Sequence, residues 1–323
     1  MTEIKDIGGE FGLIDRVTKR FSDHRVIKGI GDDCAVIRWG EEKVMLVTTD
    51  LLVQDRHFKT QWASYEQIGS KSMEVNVSDI AAMGGVPLWA FVSLAIPKGT
   101  QAEQIDDLYR GMERSCKANG VVILGGDTTG GGLLTINIAL IGECETALVR
   151  YRHGAKAGQL FCVTGDIGRS EAGLRLLIAG MGSEFPALLS SHLEPLSRIA
   201  WGRAIGPLAG AMIDISDGLA SEVGHICDES GVGAEIDLSA IPIAEDTRLA
   251  AKRLGADPVA WALSGGEDYQ LLFTIDGTNL GKLDAARIPY SVVGRATDRT
   301  CGRWLVSSDA AKRPLSGGYD HFV

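Results

Sequence analysis

Apolar, β-branched runs alternate along this chain with segments of helical periodicity, and this alternation constrains the fold more than any other feature. The apolar runs predict strands, several of them buried on both faces, at 43–49, 91–96, 121–124, 133–141, 160–164 and 270–275. Apolar residues at steps of three and four predict helices at 64–83, 101–119, 169–179, 218–230 and 246–254. The sequence therefore predicts a mixed α/β (α+β) fold, with helices on one side of a sheet in the first half.

The length of the chain predicts two domains. It has 323 residues, about twice the usual size of a single domain, and 45% of them are hydrophobic, which is enough for more than one core. A basic, glycine-containing segment at 145–158 separates two predicted strands. We therefore expect an N-terminal domain at 1–148 and a C-terminal domain at 149–323.

Charge and cysteine content exclude several classes of function. The 42 acidic residues against 32 Lys and Arg leave a net charge of -10, which opposes binding to nucleic acid or to an anionic membrane surface. The six cysteines show no CxxC pair and no zinc-site spacing. The first 20 residues lack the pattern of a secretory signal, and the apolar stretch at 83–96 is too short to span a bilayer. The sequence predicts a cytoplasmic protein with reduced thiols.

Acidic residues recur at glycine turns and at the ends of predicted strands. The positions are Asp32, Asp33, Asp50, Asp79, Asp127, Asp214, Asp217, Glu267 and Asp268. No basic residue lies beside them in the sequence, so carboxylates that converge in the fold would repel one another unless a hard divalent cation binds them. The hydroxyls of Thr48 and Thr49 are suitable further ligands. This pattern predicts Mg²⁺ that holds nucleotide phosphates.

Taken singly, these motifs also have simpler interpretations. Ser78-Asp79 and Ser216-Asp217 are typical helix N-caps, and Asp32-Asp33 is typical of a solvated turn. His57 alone is typical of a surface histidine. The common signatures of P-loop, dinucleotide-binding, zinc-protease, hydrolase and protein-kinase sites are absent from the sequence. No single motif decides the function.

The order of the motifs is more specific than any one of them. They are Gly-Ile-Gly-Asp-Asp at 29–33, Thr-Thr-Asp-Leu-Leu at 48–52, Asn-Val-Ser-Asp-Ile-Ala-Ala-Met-Gly-Gly-Val-Pro at 76–87, Gly-Gly-Asp-Thr-Thr at 125–129, Asp-Ile-Ser-Asp-Gly-Leu at 214–219, Ser-Gly-Gly-Glu-Asp-Tyr at 264–269 and Gly-Tyr-Asp-His-Phe at 318–322. In this order they resemble the thiamine-monophosphate kinase family. That family belongs to an ATP-binding superfamily with aminoimidazole ribonucleotide synthetase, selenophosphate synthetase and HypE. The resemblance runs from about residue 9 to residue 322.

The resemblance implies a two-domain aminoimidazole ribonucleotide synthetase-like fold, in which the N-terminal sheet dimerises and a C-terminal α/β domain covers the nucleotide. It implies a homodimer that uses ATP and several Mg²⁺ ions to phosphorylate thiamine monophosphate to thiamine diphosphate. The implied metal ligands are Asp33, Thr48, Thr49, Asp50, Asp79, Asp127, Asp214 and Asp217, with Asp32 as a neighbour. The implied ATP contacts are Gly126, Asp127, Arg152, Ser216 and Tyr109. The implied substrate contacts are His57, Glu267 and Tyr319.

No catalytic side chain is predicted. The acceptor phosphate is already ionised near neutral pH, so direct transfer of the phosphoryl group needs positioning and cations more than a general base. Two alternatives stay open at this point. The chain could be another ATP-dependent enzyme of the superfamily that acts on a different acceptor, or a catalytically silent nucleotide sensor.

Overall fold

Two separate sheets organise the chain in the computed structural model, which describes residues 4–7, 9–18 and 23–318. The strands are β1 (Val26–Lys28), β2 (Ala35–Trp39), β3 (Lys43–Val53), β4 (Val86–Pro97), β5 (Val122–Gly131), β6 (Thr135–Glu145), β7 (Leu160–Thr164), β8 (Ala209–Asp214), β9 (Val232–Asp237), β10 (Leu271–Ile275), β11 (Tyr290–Asp298), β12 (Arg303–Val306) and β13 (Lys312–Pro314). The helices are α1 (Gly9–Thr18), α2 (Tyr65–Ala82), α3 (Ala102–Asn119), α4 (Arg169–Ile178), α5 (Pro186–Leu193), α6 (Ile199–Ile205), α7 (Leu219–Ser230), α8 (Glu245–Leu254), α9 (Pro258–Ser264) and α10 (Leu280–Ala285). Each predicted helix and strand is present, so the α/β prediction is confirmed.

The first sheet has the order β1-β2-β3-β6-β4-β5, and only the β4–β5 pair is parallel among its described strands. Helix α2 packs on one face of this sheet, and α3 packs on α2. Burial alternates along β3: Leu46, Thr48 and Leu52 are buried toward α2, whereas Thr49 and Leu51 are exposed on the other face. The predicted packing of helices on one side of this sheet is confirmed, and we call the uncovered side the open face.

Helices α2 and α3 cross at a very short distance. An ideal Cβ on Gly69 would lie 1.9 Å from the carbonyl oxygen of Leu108, and one on Gly111 would lie 1.8 Å from that of Glu66. Only glycine permits this approach of two backbones. The N-terminus of α2 is fixed by a capping box between Ser64 and Gln67.

The second sheet has the order β13-β12-β9-β11-β7-β10-β8, with one parallel pair, β12–β9, among its described strands. Strand β10 is buried along its whole length, as predicted for a strand covered on both faces. It pairs antiparallel with β8, and Leu271 lies opposite Asp214. This register brings the segment after β8 beside the loop at 265–270. None of the described helices combines the length and the hydropathy that a membrane span requires.

Candidate functional site

Three aspartates converge from distant parts of the chain. Asp33 precedes β2, Asp79 lies in the last turn of α2, and Asp214 ends β8. One carboxylate oxygen from each lies within 4.8 Å of the others. We call Asp33, Asp79 and Asp214 the acidic cluster. Because three carboxylates meet around one point, the arrangement is suited to a divalent cation with oxygen ligands.

Hydroxyl groups orient two members of the acidic cluster. Thr48 donates a hydrogen bond to Oδ2 of Asp79, and the Ser78 hydroxyl donates one to Oδ2 of Asp214 at 2.5 Å. Ser78 and Asp79 therefore both engage the site from the C-terminal part of α2. The N-cap of α2 is Ser64, so the interpretation of Ser78-Asp79 as a helix cap is wrong.

Burial and mutual repulsion raise the pKa values in this region. Burial and then repulsion from Asp33 raise the pKa of Asp214 to about 8. Burial and then Asp50 raise the pKa of Asp79 well above its ordinary value, and burial and then Asp217 raise the pKa of Asp50 to about 6. The charge of Asp50 thus interacts with that of Asp79 in the acidic cluster, and the charge of Asp217 interacts with that of Asp50. A bound cation would relieve this repulsion.

Arg152 holds one side of the cluster, although it lies 119 residues from Asp33 in the sequence. Its Nη2 and Nε donate to Oδ1 of Asp33 at 2.6 and 3.1 Å, and its backbone N–H donates to Oδ1 of Asp32 at 3.1 Å. The side chains of Asp32 and Asp33 are fully buried, so the interpretation of a solvated turn is wrong. Oδ2 of Asp33 has no hydrogen-bond partner among the described residues. A buried, unpaired carboxylate oxygen in an acidic cluster fits a metal ligand.

Ser216 and Asp217 lie in the turn between β8 and α7. The N-cap of α7 is Gly218, which has no side-chain cap, so Ser216-Asp217 does not cap this helix. The backbone N–H of Asp217 donates to the buried carboxylate of Glu222 at 3.0 Å. Burial and then repulsion from Asp217 raise the pKa of Glu222 well above its ordinary value. Nothing in the sequence singles out Glu222, because it stands inside a helical pattern with no turn beside it.

Some predicted site residues lie apart from the acidic cluster. Thr49 is on the open face of the first sheet, and so is Asp127, which lies opposite Ser93 in the register of β4 and β5. Gly126 lies on the same strand against the backbone of Val92. Tyr109 is a partly exposed residue of α3. Tyr319 lies outside the described residues.

A cavity of about 590 Å³ adjoins the acidic cluster. Asp50 and Asp217 line it, and so do the two predicted substrate contacts, His57 and Glu267. Its apolar wall is formed by Phe58, Trp62, Ala63, Ile68, Leu174, Ile178 and Leu193. The arrangement can therefore hold a cation and anionic groups next to an organic group with an apolar surface.

The loop that carries Glu267 is held tightly against the turn after β8. The backbone of Glu267 has a φ of 63°, in the left-handed region, and its N–H donates to the carbonyl of Ser216 at 2.7 Å. An ideal Cβ on Gly266 would lie 2.3 Å from that same carbonyl oxygen. The carboxylate of Asp268 accepts hydrogen bonds from the backbone of Gly168 and Ser170 at the start of α4. A strained backbone that the surroundings hold in this way is typical of functional loops.

Two family models match most of the chain between them. The family model described as AIR synthase related protein, N-terminal domain, matches residues 31–144. The model described as AIR synthase related protein, C-terminal domain, matches residues 156–303. Both sheets therefore correspond to known domain types.

Two curated relatives are named thiamine-monophosphate kinase. The one from Aquifex aeolicus (strain VF5) is 36% identical over 288 residues, which cover 85% of this chain and 92% of the relative. The one from Bacillus subtilis (strain 168) is 35% identical over 326 residues, covering 97% and 99%. A solved structure described as AaThiL complexed with AMPPCP and TMP is 34% identical, with a TM-score of 0.89 over 100% of this chain and 99% of that chain.

Proposed function

The chain belongs to the thiamine-monophosphate kinase family, and on that premise we propose that the acidic cluster binds Mg²⁺ beside the phosphates of ATP and that the adjoining cavity binds thiamine monophosphate. The reaction is the ATP-dependent phosphorylation of thiamine monophosphate, which yields thiamine diphosphate and ADP. The observation that carries the site assignment is the convergence of three aspartates beside Asp50, which lines a cavity together with Asp217, His57 and Glu267.

Asp33, Asp79 and Asp214 are the central proposed ligands of Mg²⁺, supported by the unpaired Oδ2 of Asp33 among the described residues. Asp50 and Asp217 are further proposed ligands, because Asp50 repels Asp79 and Asp217 repels Asp50. Thr48, which donates to Asp79, is a further proposed ligand, and Thr49 and Asp127, which lie on the open face apart from the cluster, are proposed ligands of a separate Mg²⁺ ion. When bound, Mg²⁺ neutralises the negative charge that gathers as one phosphate group approaches another.

The side chains of this protein would bind and orient two anions. Arg152 is the proposed cationic contact of ATP, because its guanidinium already lies at the acidic cluster. Gly126, Tyr109 and Ser216 are the other proposed contacts of ATP, and Tyr319 is the third proposed contact of the substrate. The acceptor phosphate has a second pKa near 6, so it is largely ionised at neutral pH and needs no strong base. We therefore infer a direct transfer, in which positioning by the protein supplies the rate enhancement.

A different acceptor and a silent nucleotide sensor are the two alternatives. The two curated relatives described above carry the name of the thiamine-monophosphate kinase activity, which favours that acceptor. The intact acidic cluster favours an active enzyme over a sensor. Turnover separates all three possibilities.

The test is the formation of thiamine diphosphate from ATP and thiamine monophosphate by the purified chain, with and without Mg²⁺. We expect product only when the metal is present. Aminoimidazole precursors and selenide serve as other acceptors in parallel reactions. Nucleotide binding without product from any acceptor would identify a sensor and refute the proposal.

We further propose a homodimer formed through the open face of the first sheet. This face exposes Leu51, Trp89, Phe91 and Val122, and 53% of Leu51 and 54% of Val122 remain accessible. Strand β5 is also an edge strand of this sheet, with no partner on its outer side among the described residues. An apolar face and an open edge of this kind are commonly covered by a second copy.

We expect light scattering at micromolar concentration to give twice the mass of one chain, and Phe91→Glu to shift this mass toward the monomer. Leu249→Glu, at an exposed apolar position on α8, is the matched control and should leave the mass unchanged. A wild-type protein with the mass of a single chain would contradict the dimer.

The domain boundary and the location in the cell are two further proposals. The boundary between residues 148 and 149 is supported by its position between the two family matches, 31–144 and 156–303. Location in the cytoplasm is supported by the six cysteines, all of which are free thiols.

A further inference from the structure

Lys71 is a buried lysine that faces the cavity from helix α2. Its residue surface is 3% exposed, and its ammonium group donates to Oε2 of Glu267 at 2.8 Å. The same group donates to the backbone carbonyl of His57 at 3.2 Å. The ammonium group of Lys71 therefore contacts both His57 and Glu267, the two described residues that are proposed to bind the substrate.

The carboxylate of Glu267 is contacted by both Lys71 and His192. His192 Nδ1 lies 3.3 Å from Oε2 of Glu267 and 3.0 Å from the hydroxyl of Ser170. Burial and Lys71 lower the pKa of His192 to about 4, so the imidazole is neutral at pH 7. Burial raises the pKa of Glu267, but Lys71, His192 and His57 together lower it by more. Lys71 is thus the cation that compensates the buried carboxylate.

Helix α2 links this pair to the acidic cluster. Lys71 and Asp79 are eight residues apart on one continuous helix, which corresponds to about 12 Å along its axis. A rigid helix keeps this separation fixed, whereas two loops would not. Thiamine monophosphate has an aminopyrimidine with N–H donors at one end, a positive thiazolium ring in the middle and a phosphate at the other end. The Lys71–Glu267 pair and the acidic cluster, at the two positions on this helix, can therefore be matched by the two ends of the molecule.

We propose that Lys71 is a positioning residue for recognition of the organic part of the substrate: it holds the Glu267 carboxylate and the His57 loop at a fixed distance from the acidic cluster. Glu267 then accepts a hydrogen bond from, or pairs with, the nitrogen-containing rings of thiamine monophosphate. This inference rests on the proposed function and adds to it the residue that orients the substrate contacts.

The test compares steady-state kinetics of Lys71→Gln and Lys71→Met with the wild type. We expect the KM for thiamine monophosphate to rise about tenfold in Lys71→Gln and further in Lys71→Met, because a charge-assisted hydrogen bond to a buried carboxylate is lost and Gln can still donate one hydrogen bond. The kcat and the KM for ATP should stay within about threefold of wild type, since the acidic cluster is untouched. Lys117→Met, which removes an exposed lysine paired with Glu113 on the surface of α3, is the control and should change neither constant.

A double-mutant cycle with Glu267→Gln distinguishes positioning from general stability. With the carboxylate neutralised, Lys71→Gln should change the KM for thiamine monophosphate by less than about threefold. An equal effect in both backgrounds would overturn the proposal, as would a parallel loss in kcat or in the affinity for ATP. If Lys71→Met does not fold, Lys71→Gln in the two backgrounds gives the same decision.

The same data separate this inference from the proposed function. A wild-type protein that forms no thiamine diphosphate refutes the proposed function itself. An active wild type whose KM for thiamine monophosphate is unchanged in Lys71→Gln refutes only the role of Lys71.

Discussion

Asp79→Asn is expected to reduce turnover by about a hundredfold or more, which is the effect of removing one well-placed electrostatic group from a reacting centre. The substitution keeps the size of the side chain and leaves an oxygen that can still accept from Thr48. It removes a negative charge from the point where Asp33, Asp79 and Asp214 converge. Added Mg²⁺ should restore activity only in part, because one ligand charge is missing.

Asp79→Asn should not destabilise the protein, although it reduces turnover. Burial and repulsion from neighbouring carboxylates already raise the pKa of Asp79, so its ionised form disfavours the folded state when no metal is bound. The melting temperature without ligand should therefore stay constant or rise. Turnover as a function of Mg²⁺ concentration and thermal unfolding without metal are the two measurements.

Glu66→Gln is the matched control for this prediction. Glu66 lies in the first turn of the same helix, where it is partly exposed and paired with Arg114. This substitution should change neither turnover nor the requirement for Mg²⁺. An Asp79→Asn enzyme with wild-type turnover and unchanged metal dependence would show that Asp79 is not a metal ligand.

Gly69→Ala should destabilise the protein by about 3 kcal/mol, because overpacking a close contact forces backbone to move. The new Cβ would lie 1.9 Å from the carbonyl oxygen of Leu108, and this neighbour is the backbone of α3 rather than a flexible side chain. Helix α2 carries both Asp79 and Lys71, so a shift of α2 should also reduce turnover. Urea unfolding and activity at a temperature below the transition measure the two effects.

Gly281→Ala is the control at a helical glycine with open space. No atom outside its own neighbourhood lies within 4 Å of the added Cβ. Alanine has the higher helix propensity, so this variant should be as stable as the wild type or more stable by up to about 1 kcal/mol. Equal behaviour of the two variants would mean that α2 and α3 do not cross as described.

The sequence alone predicted the elements and the chemical class of the site. The predicted strands at 160–164 and 270–275 correspond to β7 and to Leu271–Ile275 of β10, because strand formation and burial on both faces follow from local apolar patterns. The acidic residues were identifiable because aspartate beside glycine at a strand end is a local pattern too. The family was identifiable because several such patterns occur in one order. Each of these signals lies within a few neighbouring residues.

The tertiary structure decided which side chains meet. The sequence left Asp79 open between a cap and a metal ligand, and only the full length of α2 places it in the last turn, opposite the residues Asp33 and Asp214. Lys71 and Glu267 are 196 residues apart, and Arg152 and Asp33 are 119 apart. Such contacts depend on the register of β8 and β10 and on how α2 packs between the sheets, which are set by long-range burial rather than by local propensity. The distant neighbours that surround a buried lysine or carboxylate leave no periodic trace in the sequence.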